Sequence, residues 1–187
     1  MAMPAFYLTL VAVLLAGIGA RDQMTVASLT LRQGRRPSVL IVVLACALLT
    51  AALAAWGGFV MLKLLPPPAR AIFAGIALGM AGLESLLLAP RQSMREPTNS
   101  LGALAVVTLA AQATDAARFL VFGLAVGMAA PLAAGLAGAL GGAVLVATGW
   151  FLPEPVTRPG ARWVRRIVGL LMTCVAIYMF LKTRGIV

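Results

Sequence analysis

Charged side chains lie inside two long apolar stretches of this sequence. Arg21 and Asp22 stand at the downstream end of an apolar run that begins at Phe6, and Asp115 lies within residues 108–118. A charge at the depth of a bilayer is costly unless it is paired or faces a polar cavity. These two stretches therefore indicate a functional site.

The second stretch has the spacing of a polar stripe on one helix face. Thr108, Gln112 and Asp115 fall at i, i+4 and i+7. Arg118 follows three residues after Asp115 and would reach it on a continuous helix. Carboxylate, amide and hydroxyl oxygens are the ligands that hard cations prefer, so this pattern predicts a cation or proton path.

The first stretch contributes a second acid and an amide. Because Arg21 and Asp22 are adjacent, their side chains diverge by about 100° on a helix and pair poorly with each other. The candidate ion-binding residues are Asp115, Gln112, Thr108, Asp22 and Gln23, of which Asp115 and Asp22 are the candidate metal ligands. Arg21 and Arg118 would act as counter-charges to the acids when the site is empty.

A structural interpretation of the same residues stays open. Asp115 and Arg118 could form an ion pair inside a helix bundle, and the Arg21–Asp22 pair could mark a helix end that extends to the membrane interface. Glu84 lies near the end of its apolar run, which favours an interfacial position.

The composition excludes an ordinary soluble domain. The chain of 187 residues is 62% hydrophobic and 11% charged, whereas about a quarter of the residues in soluble domains are charged. Several apolar runs approach or reach the roughly 20 residues that cross a bilayer core. We therefore expect an all-α polytopic membrane protein with one transmembrane domain, residues 1–187.

Other classes of function find no support in the sequence. The net charge of +10 comes mostly from short basic clusters between apolar runs, so we expect no nucleic-acid partner. The two cysteines stand alone and histidine is absent, so we expect no zinc site, disulfide framework or cofactor. No nucleophile–base pair or nucleotide-binding loop indicates an enzyme. The N-terminus lacks the basic region of a cleaved signal peptide.

Six spans are predicted. The first is long enough to require a tilt or a break, for which Gly17 and Gly19 are the candidates. The polar stretch 91–99 divides the chain into residues 1–90 and 100–187, with three spans each. The predicted spans are 4–31, 38–62, 71–88, 101–126, 132–152 and 165–181.

The two halves share features at a common offset. Gly57 and Arg70 in the first half correspond to Gly149 and Arg162 in the second, both about half a chain length apart. Three spans per repeat reverse the orientation of the second repeat in the membrane. This plan of two inverted repeats is typical of many secondary transporters.

Arginine and lysine in the connections predict the orientation. The first, third and fifth connections are the more basic and should face the cytoplasm, which places both termini outside it. The protein would then be a multi-pass protein of the cell inner membrane. The arginines counted for the cytoplasmic side are Arg32, Arg35, Arg36, Arg91, Arg95, Arg158, Arg162, Arg165 and Arg166.

At residues 17–23 and 112–118 the sequence resembles the Golgi-type calcium/manganese–proton exchangers and their small bacterial relatives (the GDT family), within the lysine-exporter superfamily. Members have six spans in two inverted repeats, each with Glu-x-Gly-Asp-Lys-Thr/Ser-Gln in its first helix. The first repeat here keeps Gly19, Arg21 and Gln23 of this pattern, with Gly17 and Ala20 in the acidic positions.

The second repeat keeps the aspartate of the motif as Asp115, with Gln112 in the position of the glutamate. The resemblance implies an inner-membrane secondary transporter that exchanges manganese or calcium for protons. The partners would be the lipid bilayer, the transported cation and the proton, with a homo-oligomer as an open alternative. Two other functions also remain open: a non-transporting membrane scaffold or subunit, and an exporter of a small organic or amino-acid solute whose carboxylate Arg21 and Arg118 would hold.

Overall fold

The computed structural model describes residues 2–88 and 100–186, and its regular structure there is entirely helical. The all-α prediction is therefore confirmed for these residues. Arg91 and Arg95 of the predicted basic connection lie outside them. The helices are α1 (Ala2–Gly17), α2 (Arg21–Gln33), α3 (Pro37–Leu64), α4 (Pro67–Leu87), α5 (Leu101–Ala113), α6 (Ala116–Gly127), α7 (Pro131–Phe151), α8 (Pro153–Thr157) and α9 (Pro159–Thr183).

Four of these helices, α3, α4, α7 and α9, are long and apolar enough to cross a membrane. Two bent pairs, α1 with α2 and α5 with α6, would bring the number to six if each pair is one span. Large apolar side chains also cover much of the outer surface, including Leu53, Ile76 and Leu136. This architecture is compatible with a multi-pass helical membrane protein.

The first predicted span breaks where its glycines lie. Helix α1 ends at Gly17, α2 begins at Arg21, and the two are bent by 54°. Gly19 has a φ of +70°, a conformation that costs an L side chain energy but glycine very little. A Cβ there would also lie 3.2 Å from the carbonyl oxygen of Ala161. The prediction of a break at Gly17 and Gly19 is confirmed.

The fourth predicted span is also broken, by 51° between α5 and α6. Asp115 lies between the two helices as the N-cap of α6, and its carboxylate accepts a hydrogen bond from the Ala117 amide at 3.3 Å. The predicted stripe through Thr108, Gln112 and Asp115 on one continuous helix is therefore wrong at Asp115. An aspartate side chain bonds well to free backbone amides, which favours a helix start over a helix interior.

Prolines place two helix starts earlier than predicted. Pro67 and Pro68 form the first turn of α4, and Pro159 begins α9 six residues before Arg165. Proline suits this position because the first amides of a helix have no intrahelical partner. Arg162, Arg165 and Arg166 consequently lie inside a helix, so their placement in the fifth connection is wrong.

The two halves of the chain interlock. Helices α1 and α3 pack against α7, while α4 packs against α6 and α9. One buried apolar cluster joins α1, α4, α6, α7 and α9, and another joins α2, α3, α5 and α7. The first includes Val13, Ala81, Leu120, Val121 and Leu145, and the second includes Val26, Val43, Leu104 and Val146.

Helices α4 and α9 cross where each has a glycine, Gly82 in α4 and Gly169 in α9. A Cβ on Gly82 would lie 2.8 Å from the carbonyl oxygen of Gly169, a distance at which backbone must move. This approach brings Glu84 of α4 against Arg165 of α9.

We expect Gly82→Ala to lower the free energy of unfolding by about 1–3 kcal/mol, the usual cost of overpacking. Thermal unfolding of the purified protein in detergent would measure it. Gly75→Ala is the matched control on α4, because its Cβ would meet Met179 at an ordinary 3.7 Å. Equal stability of the two variants would contradict a tight crossing at Gly82.

Candidate functional site

Buried charges gather where the two bent helix pairs, α1–α2 and α5–α6, meet α4 and α9. Asp22 lies in the first turn of α2, Asp115 at the start of α6, and Glu84 in α4. The side chains of Arg118 and Arg165 are also buried, at 5% and 1% residue exposure. Burying a charge is unfavourable unless partners compensate for the lost water, so the contacts of each group decide its role.

Three of these residues form an ion-pair cluster with the partly exposed Arg21: Glu84, Asp115 and Arg165. The Nη2 atom of Arg165 donates to a carboxylate oxygen of Glu84 and to Asp115 Oδ1, the latter at 3.3 Å. Arg165 Nη1 donates to the carbonyl oxygen of Ala16 at 3.1 Å. Arg21 Nη2 lies 3.4 Å from Glu84 Oε1. The cluster thus joins both halves of the chain.

The partly exposed Arg21 also reaches the second helix break. Its Nη2 donates to the carbonyl oxygen of Thr114 at 2.9 Å and to the Thr114 hydroxyl at 3.0 Å. One arginine from the first break therefore holds the backbone of the second.

A second set of contacts, the polar chain, runs through Arg118, Thr50, Gln112 and Asp22. Arg118 Nε donates to the Thr50 hydroxyl at 2.8 Å, and that hydroxyl lies 3.2 Å from Gln112 Oε1. Gln112 Nε2 donates to Asp22 Oδ2 at 2.9 Å. The polar chain therefore connects α6, α3, α5 and α2.

Glycine makes room for the buried guanidinium at one end of the polar chain. Arg118 Nη2 donates to the carbonyl oxygen of Ala47 at 3.2 Å, and it would lie 3.2 Å from a Cβ added at Gly142 of α7. A cavity of about 270 Å³ also opens beside Arg118, lined by Thr50, Phe119 and Phe122 among others.

The charges of the cluster and the polar chain cancel. The negative charges of three acids balance the positive charges of three arginines. The acids are Asp22, Glu84 and Asp115, and the arginines are Arg21, Arg118 and Arg165. Among the described residues, Arg118 makes no ion pair with Asp115, so the predicted Asp115–Arg118 pair is wrong. The helix break moves Asp115 toward Arg165, while Arg118 points toward Thr50.

The remaining predicted ligands have separate places. Gln23 Oε1 accepts from the Gly19 amide and Gln23 Nε2 donates to the Thr148 hydroxyl, both at 2.8 Å, so this side chain holds the first break against α7. Thr108 is buried, and its hydroxyl has no hydrogen-bond partner among the described residues. Among the predicted ligands, Gln112 and Asp22 bond through their side chains, and the Gln23 backbone amide donates to Asp22 Oδ1 at 2.7 Å.

Two central residues were not predicted. The interfacial position expected for Glu84 is wrong, because the side chain is buried against Arg165 and Arg21. Arg165 was assigned to a basic connection. A signal for Arg165 exists in the sequence: it shares one helix face with Gly169, Met172 and Ala176, the buried face of α9.

The site offers few free metal ligands. No group of three or more histidine, cysteine, aspartate or glutamate side chains is close enough to hold a metal ion in the part of the chain that the structure describes. Arginine and amide groups already occupy the oxygens of Asp22 and Asp115.

No family model matches the chain. Comparisons with curated proteins and with solved structures also give no match. The function must therefore be inferred from the site itself.

Proposed function

We propose that the chain is a secondary transporter of the inner membrane that moves a cation by alternating access, coupled to protons. Asp115 is its main ligand or proton carrier, assisted by Asp22 and Gln112. One observation carries this proposal: both broken spans bring a buried acid, Asp22 or Asp115, to one charged region between the halves of the chain.

The layout of the helices supports a carrier with inverted repeats. Each half contributes one broken span, α1–α2 or α5–α6, followed by helices long enough to cross a membrane. Substrate and ion sites of many secondary transporters lie near the bilayer midplane at such broken helices. In this arrangement both termini would face away from the cytoplasm.

The contacts between the halves support movement of one half against the other. Arg165 of the second half holds Glu84 of the first, and Gln112 holds Asp22. A cation that binds an acid of either pair must weaken a contact between the halves. Cargo binding would therefore favour a different arrangement of the repeats, which alternating access requires. Manganese and calcium are the first cargoes to test.

A second candidate function is the export of a small organic solute with a carboxylate group. Arg118 favours it, because this buried guanidinium has no ion-pair partner among the described residues and lines the 270 Å³ cavity. A bidentate hydrogen bond from guanidinium to carboxylate would suit such a solute.

Transport by Asp115→Asn tests the main proposal. Wild-type protein in proteoliposomes should exchange Mn²⁺ or Ca²⁺ against a proton gradient, and the variant should fall to the background of empty vesicles because it lacks the titratable carboxylate. Glu154→Gln, at an exposed position of α8, is the control and should transport like wild type.

Each alternative has its own outcome in this assay. Unchanged cation exchange by Asp115→Asn would contradict the assigned role of Asp115. Transport of amino acids without transport of either cation would favour the organic-solute exporter. A wild-type protein that moves none of these would favour a scaffold.

A further inference from the structure

Arg165 lies where several oxygen atoms from other helices converge. Its guanidinium contacts carboxylates of Glu84 from α4 and Asp115 from the start of α6, together with the carbonyl oxygen of Ala16 from the last turn of α1. A single atom, Nη2, contacts both carboxylates. The residue is only 1% exposed.

The carbonyl of Ala16 has lost its helical amide donor because the helix breaks. In a continuous helix the Ala20 amide would donate to it, but Ala20 donates to the Gly17 carbonyl instead, at 3.0 Å. The last carbonyls of a helix carry its negative dipole end and attract cations. In transporters with broken helices, carbonyls of this kind coordinate the coupling cation.

This set of donors has the chemistry of a hard-cation site. Two carboxylates and a backbone carbonyl are oxygen ligands, which Ca²⁺ and similar cations accept together with water. Arg165 fills the space between them with a positive charge of its own. The proton donors of its guanidinium are directed at the oxygens that a free cation would use.

We propose that Arg165 is a tethered cation that occupies a divalent-cation site formed by Glu84, Asp115 and the Ala16 carbonyl. A free cation and the Arg165 guanidinium exclude each other there, so the cation binds only when Arg165 is withdrawn or removed. The inference rests on the proposed function in that it names what fills the transporter's charged region at rest. It also assigns Glu84, which lies outside the residues matched to the family motif, as a ligand.

Removal of the guanidinium should expose the site. We expect purified Arg165→Ala in detergent to bind about one Mn²⁺ per chain, on the order of tenfold or more tightly than wild type, because the two buried carboxylates lose their positive partner. Loss of the electron paramagnetic resonance signal of free Mn²⁺ would measure it. Because the assay measures binding, its result is independent of whether wild-type protein transports any cation.

Neighbouring positions supply the controls. Arg166→Ala makes the same change of charge one residue away on the exposed side of α9, and it should bind Mn²⁺ no better than wild type. Glu84→Gln or Asp115→Asn added to Arg165→Ala should abolish the new binding. Equal binding by the Arg165 and Arg166 variants would reduce the effect to net charge and overturn the proposal.

A second variant covers a failure to fold. Arg165→Met retains much of the volume of the arginine stem, and Mn²⁺ in the medium should stabilise both Arg165 variants by replacing the lost charge. A rise in melting temperature with Mn²⁺ in either variant, absent from wild type, would support the tethered cation. If neither variant binds Mn²⁺, or neither can be recovered folded with Mn²⁺ present, the proposal is wrong.

Discussion

Replacing Glu84 with glutamine is expected to lower the free energy of unfolding by about 3–5 kcal/mol, the range for breaking a buried ion pair from one side. The amide keeps the shape of the side chain but not its charge. Arg165 would then retain Asp115 as its one carboxylate partner among the described residues, and Arg21 would lose its own. Unfolding in mixed micelles of a mild detergent and SDS would measure the loss.

The charge balance of the site makes this prediction specific. Glu84→Gln leaves the region with one excess positive charge, whereas Glu84→Gln with Arg165→Gln restores neutrality. The double variant should therefore lose less stability than the sum of the losses in the two single variants. The coupling energy between the two side chains should be about 1–3 kcal/mol. Additive losses would mean that the two side chains do not stabilise each other.

An exposed glutamate provides the matched control. Glu154→Gln makes the same chemical change in α8, outside the ion-pair cluster, and should stay within about 0.5 kcal/mol of wild type. If Glu84→Gln is no less stable than Glu154→Gln, the buried pair contributes nothing measurable to folding.

Much of the helical architecture could be predicted from the sequence because it depends on local properties. Apolar runs near the length of a bilayer crossing indicate long helices, and the structure has four of them near the predicted places, although α4 and α9 begin earlier. The first break could also be predicted, since Gly19 adopts a positive φ that glycine permits without strain. Both features follow from the local sequence and can be predicted without knowing which helices pack against each other.

The second break was not predicted, although a weak signal for it exists. Residues 110–118 contain no glycine or proline, so the hydropathy pattern predicts one continuous helix through Thr114 and Asp115. Asp115 is nevertheless a favourable N-cap residue and begins α6 in that role. Whether an aspartate in an apolar stretch caps a helix or lies within one depends on its tertiary partners, here Arg165.

The pairing of charges could not be predicted, because it depends on how the helices pack. Arg165 and Glu84 are far apart in the sequence, and each resembles a residue at the end of a span. Their contact requires the close crossing of α4 and α9 at Gly82 and Gly169. Helix periodicity could place Arg165 on the buried face of α9, but it could not identify the carboxylate that it meets.

Replacing Gln112 with methionine is expected to lower the free energy of unfolding by about 3 kcal/mol, the second large loss. Its amide donates to Asp22 and lies near the Thr50 hydroxyl, and its 1% exposure leaves little access for water to replace either contact. A lost hydrogen bond to a charged group costs about 1.5–3 kcal/mol, more when the group stays buried. Methionine keeps the volume, so the loss reports the polar contacts.

Gln33→Met, at the end of α2, is the control. Among the contacts that the structure describes, the Gln33 amide oxygen accepts only from the exposed Arg36, so a small effect on stability is expected.

Gln112→Glu separates charge from hydrogen bonding. A carboxylate here would face Asp22 Oδ2, and the repulsion should destabilise the protein more than methionine does. If added Mn²⁺ restores the stability of Gln112→Glu, the Asp22 end of the polar chain can bind a cation, because an ion compensates the added negative charge. If Gln112→Met unfolds like wild type, the polar chain is not a structural link between the halves.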